Sequence, residues 1–258
     1  MKIKVVHLFI DSVNQIELTN YYIKKGNGFK IENTGKSIKY VDLIDGEAYI
    51  LSEERIGFPL MSLIKRTKDD VRKNIKNKII IEKNPQFYKI NQKRFDVQGG
   101  YYNYCTELDI TKAYLNAAYL EGFLSKKIYQ EILFVNGINR KRVIGSLATR
   151  KIISTYDKKG ELLNKETVLD IELRKVWSNI CAFVGEKMNQ IIELNNENNF
   201  LFFWVDNIFF SMEKKYILFP AELEVKLIDN SINYIVENNN IKILTADGRQ
   251  FSLPNYRG

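Results

Sequence analysis

Two aspartates in apolar surroundings are the residues of this chain best suited to chemistry. Asp109 lies between Leu108 and Ile110, and Asp206 interrupts the aromatic run 200–210. An unpaired carboxylate is costly to bury, so such groups pair, take up a proton or hold a metal ion. Two carboxylates brought together around divalent ions are typical of phosphoryl or nucleotidyl transfer. The pair predicts that chemistry, provided that the two residues meet in the fold.

Other common catalytic clusters cannot be assembled from this sequence. His7 is its only histidine, and its two cysteines, Cys105 and Cys181, have no Cys-x-x-Cys spacing. A zinc site or a Ser-His-Asp triad needs more such residues than the chain contains. Cys181 falls on an apolar helical stripe, so we interpret it as a core residue.

The charge of the chain favours an anionic partner. Its 39 Lys and Arg residues outnumber 31 Asp and Glu residues, which gives a net charge of +8. Nucleic acid is the commonest such partner of an intracellular globular protein. Basic residues crowd at 65–78 and again at 140–151. A lysine-rich composition from an AT-biased genome, with solvated charged faces, is the alternative.

Composition also indicates the class of protein. The 258 residues are 45% hydrophobic, which is enough for one large domain or two small ones. No stretch approaches the roughly 20 apolar residues of a membrane span, and no signal peptide is recognisable. We therefore expect a soluble protein with no membrane partner, located in the cytoplasm of a bacterium or of a phage-infected host.

Residues 1–98 form a β-rich region to which the sequence assigns no role. β-Leaning runs at 4–10 and 48–51, with a third strand at 79–81, flank a charged helix near 68–76.

From residue 99 the pattern predicts an antiparallel sheet with helices packed on one face. Asp109 falls at a strand end. The run 200–210 is either a strand covered on both faces or a hairpin with Asp206-Asn207 at its turn. The expected fold class is α+β, with a palm-like domain over 99–258 beside the smaller N-terminal region. The predicted elements are strand 101–110, helices 112–132, 140–154 and 171–194, strand or hairpin 200–210, and strands 222–228, 233–237 and 241–245.

Four ordered segments resemble motifs of the family B DNA polymerases, particularly the protein-primed viral branch. Asp109 to Asn116 keeps the aspartate and tyrosine of the first palm motif, and Asp206-Asn207-Ile208-Phe209 is similar to the end of the third. Lys141 to Thr149 keeps the Lys and Ser of the helical motif between them. Gly99-Gly100 looks like the template-contacting linker. The resemblance covers about residues 99–210.

The resemblance implies a polymerase palm with very short fingers at about 115–155. It implies that Asp109, Asp206 and the carbonyl of Ile110 hold two Mg²⁺ or Mn²⁺ ions. Tyr114 would lie under the sugar and exclude a 2′-hydroxyl. The partners would be a DNA primer-template, a deoxynucleoside triphosphate and a replication protein. The remaining implied contacts are Arg140 and Lys141 to the triphosphate, and Gly99, Gly100, Ser146 and Lys214 to nucleic acid.

Simpler roles remain open for these residues. Asp109 could be a helix N-cap, Asp206 a plain turn residue, Tyr114 a core aromatic, and the Arg140 cluster a solvated face.

The function also has alternatives. Trp204 replaces an acid of the third motif, which favours a catalytically inactive palm that binds nucleic acid or a replication partner. A primase or an untemplated nucleotidyltransferase would keep the chemistry and change its use.

Overall fold

The structure is a computed structural model that describes residues 5–10, 12–34, 37–52, 58–84, 90–237 and 240–254. These ranges contain six α-helices and twelve β-strands. In chain order they are β1 Val5–Phe9, α1 Ser12–Lys25, β2 Phe29–Asn33, β3 Ser37–Asp42, β4 Ala48–Ser52, α2 Phe58–Ile75, β5 Gly100–Ile110, α3 Ala113–Leu120, α4 Lys126–Leu133, α5 Gly137–Gly145, β6 Arg150–Tyr156, β7 Leu162–Leu169, α6 Ile171–Leu194, β8 Phe200–Trp204, β9 Asn207–Phe210, β10 Val225–Glu237, β11 Asn240–Thr245 and β12 Gln250–Pro254.

The chain divides into two compact units, each built from two separate segments. Unit 1 comprises residues 1–80 and 123–177, and unit 2 comprises residues 81–122 and 178–258. This division differs from the predicted boundary between residues 98 and 99. It differs because β6, from the predicted palm, pairs with β2 from the N-terminal region, so both belong to one sheet.

Unit 1 is a six-stranded sheet with helices, in the strand order β1-β4-β3-β2-β6-β7. Its neighbouring strands are antiparallel except for β1 and β4, which are parallel. The core between α1 and the sheet is aromatic: the ring of Tyr22 stacks on Phe29 at 5.4 Å and on Tyr40 at 5.9 Å. Burial of these rings on one sheet face holds α1 in place.

Unit 2 contains the second six-stranded sheet, in the order β12-β11-β10-β5-β9-β8, with every described pair antiparallel. The rings of Phe202 and Phe209 stack at 4.3 Å in its core, and Phe251 of β12 packs against both. β5 lies inside this sheet with β10 on one side and β9 on the other. The end of β5, where Asp109 lies, is therefore paired with a neighbouring strand on each side.

The long helix α6 has the bounds that its apolar periodicity predicts. Val176, Ile180, Val184 and Ile191 recur at helical spacing and are buried. Cys181, interpreted as a core residue, is buried as well. The prediction is confirmed because one continuous apolar stripe of this length specifies both the helix and its buried face.

Two predicted elements are wrong. Residues 79–81 form no strand; instead the Ile81 carbonyl and the Lys83 amide bond with the side-chain amide of Asn179. The helix predicted at 140–154 ends at Gly145, and the chain continues through a 3₁₀ turn into β6. The β-branched and aromatic residues of β6 fit a strand that has partners on both sides.

Other boundaries also differ from the prediction. The helix predicted at 112–132 is two helices, because Gly122 has a positive φ and Ser125 caps the start of α4. The two strands predicted at 222–228 and 233–237 are one strand, β10, with a bulge between Asn230 and Ile232.

The predicted class, α+β, is confirmed by two sheets with associated helices. Among the described residues, no helix is both long enough and apolar enough to cross a membrane.

Candidate functional site

β5 carries Asp109 to one end of the unit 2 sheet. Asp109 is the last but one residue of the strand, opposite Asn207 of β9 and Lys226 of β10. After Ile110 the chain leaves the sheet and enters α3 through Lys112, whose φ of 55° is left-handed. Lys112, not Asp109, is the N-cap residue of that helix. The alternative role of Asp109 as a helix cap is therefore wrong.

Asp206 lies at the tip of the hairpin beside that strand end. Trp204 of β8 pairs with Asn207 of β9, so the turn consists of Val205 and Asp206 rather than the predicted Asp206-Asn207. The amide of Ile110 donates to the Asp206 carbonyl at 3.1 Å. Asp109 and Asp206, 97 positions apart in the chain, are thus in adjacent backbone segments at one end of the sheet. Both are half-buried.

The hairpin tip contains a residue in an unfavourable backbone conformation. Val205 has a φ of 60°, which hairpin turns need at their first central position and which glycine adopts without cost. A β-branched residue at positive φ is an outlier, and such strain of about 1–3 kcal/mol occurs often at functional sites. The flanking strands, rather than the conformational preference of Val205, thus hold the tip that carries Asp206 in this conformation.

A buried carboxylate next to Asp109 was not predicted. Glu107 precedes Asp109 by two positions in β5, so their side chains leave the same face of the sheet. Only 1% of Glu107 is exposed. The Arg249 guanidinium donates to both of its oxygens, with Nη1 to Oε1 at 2.8 Å. The Nδ2 groups of Asn207 and Asn230 also donate to Glu107.

This cluster connects the two candidate aspartates through their neighbours. Asn207 is directly opposite Asp109 in the sheet, follows Asp206 in the chain, and donates to Glu107. The carboxylate of Glu107 raises the pKa of Arg249, which fixes the guanidinium in its charged form. The alternation of β5 could have revealed Glu107, since an acid two positions from Asp109 must share its face. Nothing in the sequence identifies Arg249 as its partner, 142 positions away.

The donors proposed for metal are oxygen atoms, as Mg²⁺ requires. Mg²⁺ is usually bound through one or two carboxylates, several waters and substrate phosphates, so Asp109, Asp206 and the Ile110 carbonyl fit it in kind and number. In the part of the chain that the structure describes, no three or more His, Cys, Asp or Glu side chains are grouped to hold one ion. Glu107 does not add to the set because its oxygens already accept from Arg249 and two asparagines.

The residues proposed for nucleotide binding are divided between the units. Tyr114 is half-buried in the first turn of α3, in the same unit as the aspartates, whereas Arg140 and Lys141 belong to α5 of unit 1. The Arg140 Nη2 donates to the carbonyls of Leu133 and Val135 at 3.0 and 3.1 Å. Arg140 therefore has a structural role in the α4–α5 turn, and Lys141 is the exposed cation of the two.

Of the residues proposed to contact nucleic acid, the glycines and Ser146 have clear structural roles. Gly99 has a φ of +84°, and a Cβ there would lie 2.8 Å from the Tyr234 carbonyl oxygen. A Cβ on Gly100 would lie 2.9 Å from the Tyr234 hydroxyl. Ser146 is buried and its hydroxyl donates to the Val143 carbonyl at 2.6 Å. Close packing accounts for all three residue types.

Lys214 lies in a groove on unit 2. Its ammonium group is 2.6 Å from Asp229, and it begins a short 3₁₀ turn. The groove has a volume of about 480 Å³ and is also lined by Tyr104 and Asn230. Lys214 is half-exposed, so it is accessible to a ligand despite its ion pair.

Comparisons of the chain with protein-family models, with curated proteins and with solved structures gave no match in any of the three.

Proposed function

We propose that the chain is a nucleotidyltransferase that resembles DNA polymerases and adds deoxynucleotides to the 3′-hydroxyl of a primer. In that reaction the 3′ oxygen forms a bond to the α-phosphorus, the bond to pyrophosphate breaks, and the hydroxyl proton leaves. Asp109 and Asp206, with the carbonyl of Ile110, are the proposed ligands of two Mg²⁺ ions. Such ions activate the attacking oxygen and offset charge on the leaving group when they are bound.

One observation carries the proposal. The Ile110 amide donates a hydrogen bond to the Asp206 carbonyl at 3.1 Å, so a backbone hydrogen bond connects the residue after Asp109 to the hairpin tip. A rigid strand end and a hairpin tip are suitable supports for ligands that must not move during the reaction. Asn207, fixed by Glu107, supports the tip on the side that faces Asp109.

Other residues of the chain have proposed parts in substrate binding. Tyr114, half-buried at the start of α3, would contact the sugar and select deoxynucleotides. The predicted contacts of Lys141 and Arg140 with the triphosphate stay predictions, because both residues belong to unit 1.

Primer extension tests the proposal. A labelled primer-template with Mg²⁺ and deoxynucleotides is incubated with the native chain, with Asp109→Asn and with Asp206→Asn. We expect native extension and a loss of at least about a hundredfold in each variant, since each removes a charge that faces the reaction. Glu237→Gln, which changes an exposed carboxylate of β10, is the matched control and should extend as the native chain does. Extension that survives both site substitutions rules out the assignment.

A specific observation favours a second candidate, an inactive palm-derived protein that binds nucleic acid or a replication partner. Trp204 stands where the family that the chain resembles has an acid; it packs on Phe251 with ring centres 5.5 Å apart and is partly buried against the core. This candidate predicts no extension by the native chain and nucleic-acid binding that both aspartate substitutions leave unchanged. Parallel reactions without template, and without primer, identify untemplated addition and priming.

A further inference from the structure

We propose that the exposed face of α2 in unit 1 binds the phosphate backbone of double-stranded nucleic acid, without reading the base sequence. We define the basic face as Lys65, Arg66, Arg72, Lys73 and Lys76, the last of which directly follows the helix. The inference does not depend on the proposed chemistry, because it concerns residues of the unit that lacks Asp109 and Asp206.

The charge of the chain is divided unequally between the units. Unit 1 has 27 Lys and Arg against 16 Asp and Glu, a net charge of +11, whereas unit 2 has 12 against 15, a net charge of −3. A polyanion is attracted by clustered positive charge and repelled by negative charge. The electrostatic attraction for nucleic acid therefore belongs to unit 1.

Helical geometry gathers part of this excess on one side of α2. At 100° per residue, the members of the basic face fall within a sector of about 120°, which also contains Asp69, a partner of Arg72. The buried residues occupy the opposite side, so the apolar face packs into the unit and the basic face is left in solvent. Those buried residues are Leu60, Leu63, Thr67, Val71 and Ile75.

The cations of the basic face differ in their pairing. Arg66 pairs with Glu131, and Arg72 pairs with Asp170 at 2.8 Å and with Asp69 at 3.1 Å. Across the described ranges, by contrast, no carboxylate lies within ion-pair distance of Lys65, Lys73 or Lys76. These three lysines are exposed, so their charge is available to a partner.

The spacing of these lysines suits a duplex backbone. Lys65 and Lys73 are eight residues apart, or about 12 Å along the helix at 1.5 Å per residue. One strand of a duplex presents a phosphate about every 3.4 Å along its axis, so the span covers about four phosphates.

The chemistry of this face favours a duplex over other polyanions. Proteins that hold single strands stack bases on aromatic side chains, and residues 59–76, which contain the basic face, include no aromatic residue. A helix that lies on an anionic membrane needs an exposed apolar face, whereas the apolar face of α2 is buried.

Fluorescence anisotropy with a short labelled duplex tests the inference. The variant Lys65→Ala/Lys73→Ala/Lys76→Ala is compared with the native chain over a range of salt concentrations. We expect affinity to fall by about tenfold or more at about 0.1 M salt, and the slope of log K against log salt to decrease by about 2.7, or about 0.9 per lost contact. Lys65→Arg/Lys73→Arg/Lys76→Arg should bind as the native chain does.

The matched control is Lys158→Ala/Lys159→Ala/Lys165→Ala, which removes three exposed lysines from the β6–β7 hairpin of the same unit. It changes net charge equally and should retain most of the affinity. Equal weakening by both triple variants would show an effect of net charge alone and overturn the inference. The same variants are compared for binding to a single strand and to anionic vesicles. Native-like binding of duplex by the α2 variant would also overturn the inference. So would a loss of affinity that is larger for the single strand than for duplex, or one that is confined to the vesicles. An unfolding temperature of the α2 variant equal to that of the native chain shows that any loss of affinity does not come from unfolding.

Discussion

Glu107 is a buried carboxylate paired with the partly exposed Arg249, and the importance of the pair lies in the position of its neighbours. The carboxylate receives two N–H groups from Arg249 and one from each of two asparagines, so each of its oxygens accepts two hydrogen bonds. An ion pair in such surroundings contributes little net stability compared with apolar residues of the same size, but removal of one partner is costly. The pair therefore acts mainly to fix Asn207 opposite Asp109.

Arg249→Ala tests this role of the ion pair. We expect the free energy of unfolding to fall by about 3 kcal/mol, because the variant leaves the Glu107 carboxylate buried without its cation. Urea unfolding measures the change. Lys242→Ala, which breaks the exposed pair with Glu237, is the control and should cost less than about 1 kcal/mol. Equal losses in the two variants would contradict the buried character of the Glu107 pair.

At the scale of elements, the β8–β9 hairpin has a strained backbone residue next to the candidate ligand Asp206. Its tip carries Asp206 and contains Val205 with a φ of 60°. Strain at this point persists because pairing of β9 with β5 determines the path of the turn.

Val205→Gly should relieve that strain. We expect the free energy of unfolding to rise by about 1 kcal/mol, since glycine adopts positive φ without a steric penalty and part of the gain is lost to unfolded-state entropy. Val236→Gly in the extended strand β10 is the matched control and should destabilise the protein by about the same amount or more. Urea unfolding of both variants checks the prediction, and destabilisation by Val205→Gly would count against strain at the tip.

The loop between β3 and β4 is a second element with a defined electrostatic property. The Asp42 side chain is buried, which alone would raise its pKa, but donors from Asn27, two backbone amides and Lys25 outweigh burial and lower the pKa to about 2. The unfolded state then takes up this proton at higher pH than the folded state does. The stabilisation is complete above pH of about 4 and is lost as pH falls toward 2.

Unfolding measured at pH 4 and at pH 2 tests this linkage in Asp42→Asn. We expect the native chain to lose about 2 kcal/mol more than the variant over that interval, because the variant has no carboxylate to protonate at this position. Equal losses would mean that Asp42 is not the group responsible.

Local patterns predicted those elements whose partners lie within the same segment. The apolar stripe of α6 specified its bounds, and the aromatic run 200–210 indicated buried strand, which the structure resolves into the two strands of a hairpin. β6 was predicted as helix although one of its two partners, β7, follows it directly; its other partner, β2, lies more than 100 residues earlier in the chain. The candidate site shows the limit of local patterns: Asp109 and Asp206 were found from their apolar surroundings, whereas Arg249 becomes relevant only when the β11–β12 turn brings it to Glu107.

At the scale of the whole molecule, the proposed chemistry and the proposed affinity for nucleic acid belong to different units. Unit 2 contains both aspartates and a net charge of −3, and unit 1 has a net charge of +11. Loss of the chemistry should therefore leave the affinity for duplex intact. The aspartate variants should bind duplex as the native chain does, and the salt dependence of that binding should follow the lysines of α2.

The central claim is that Asp109 and Asp206 hold metal ions together. Crystals of the native chain soaked with Mn²⁺ and a non-hydrolysable deoxynucleoside triphosphate test it most directly, with Asp109→Asn crystals as the control. We predict anomalous density for Mn²⁺ between the two carboxylates in the native crystals and its loss in the variant. Density elsewhere alone, or none in native crystals that contain the nucleotide, would contradict the claim.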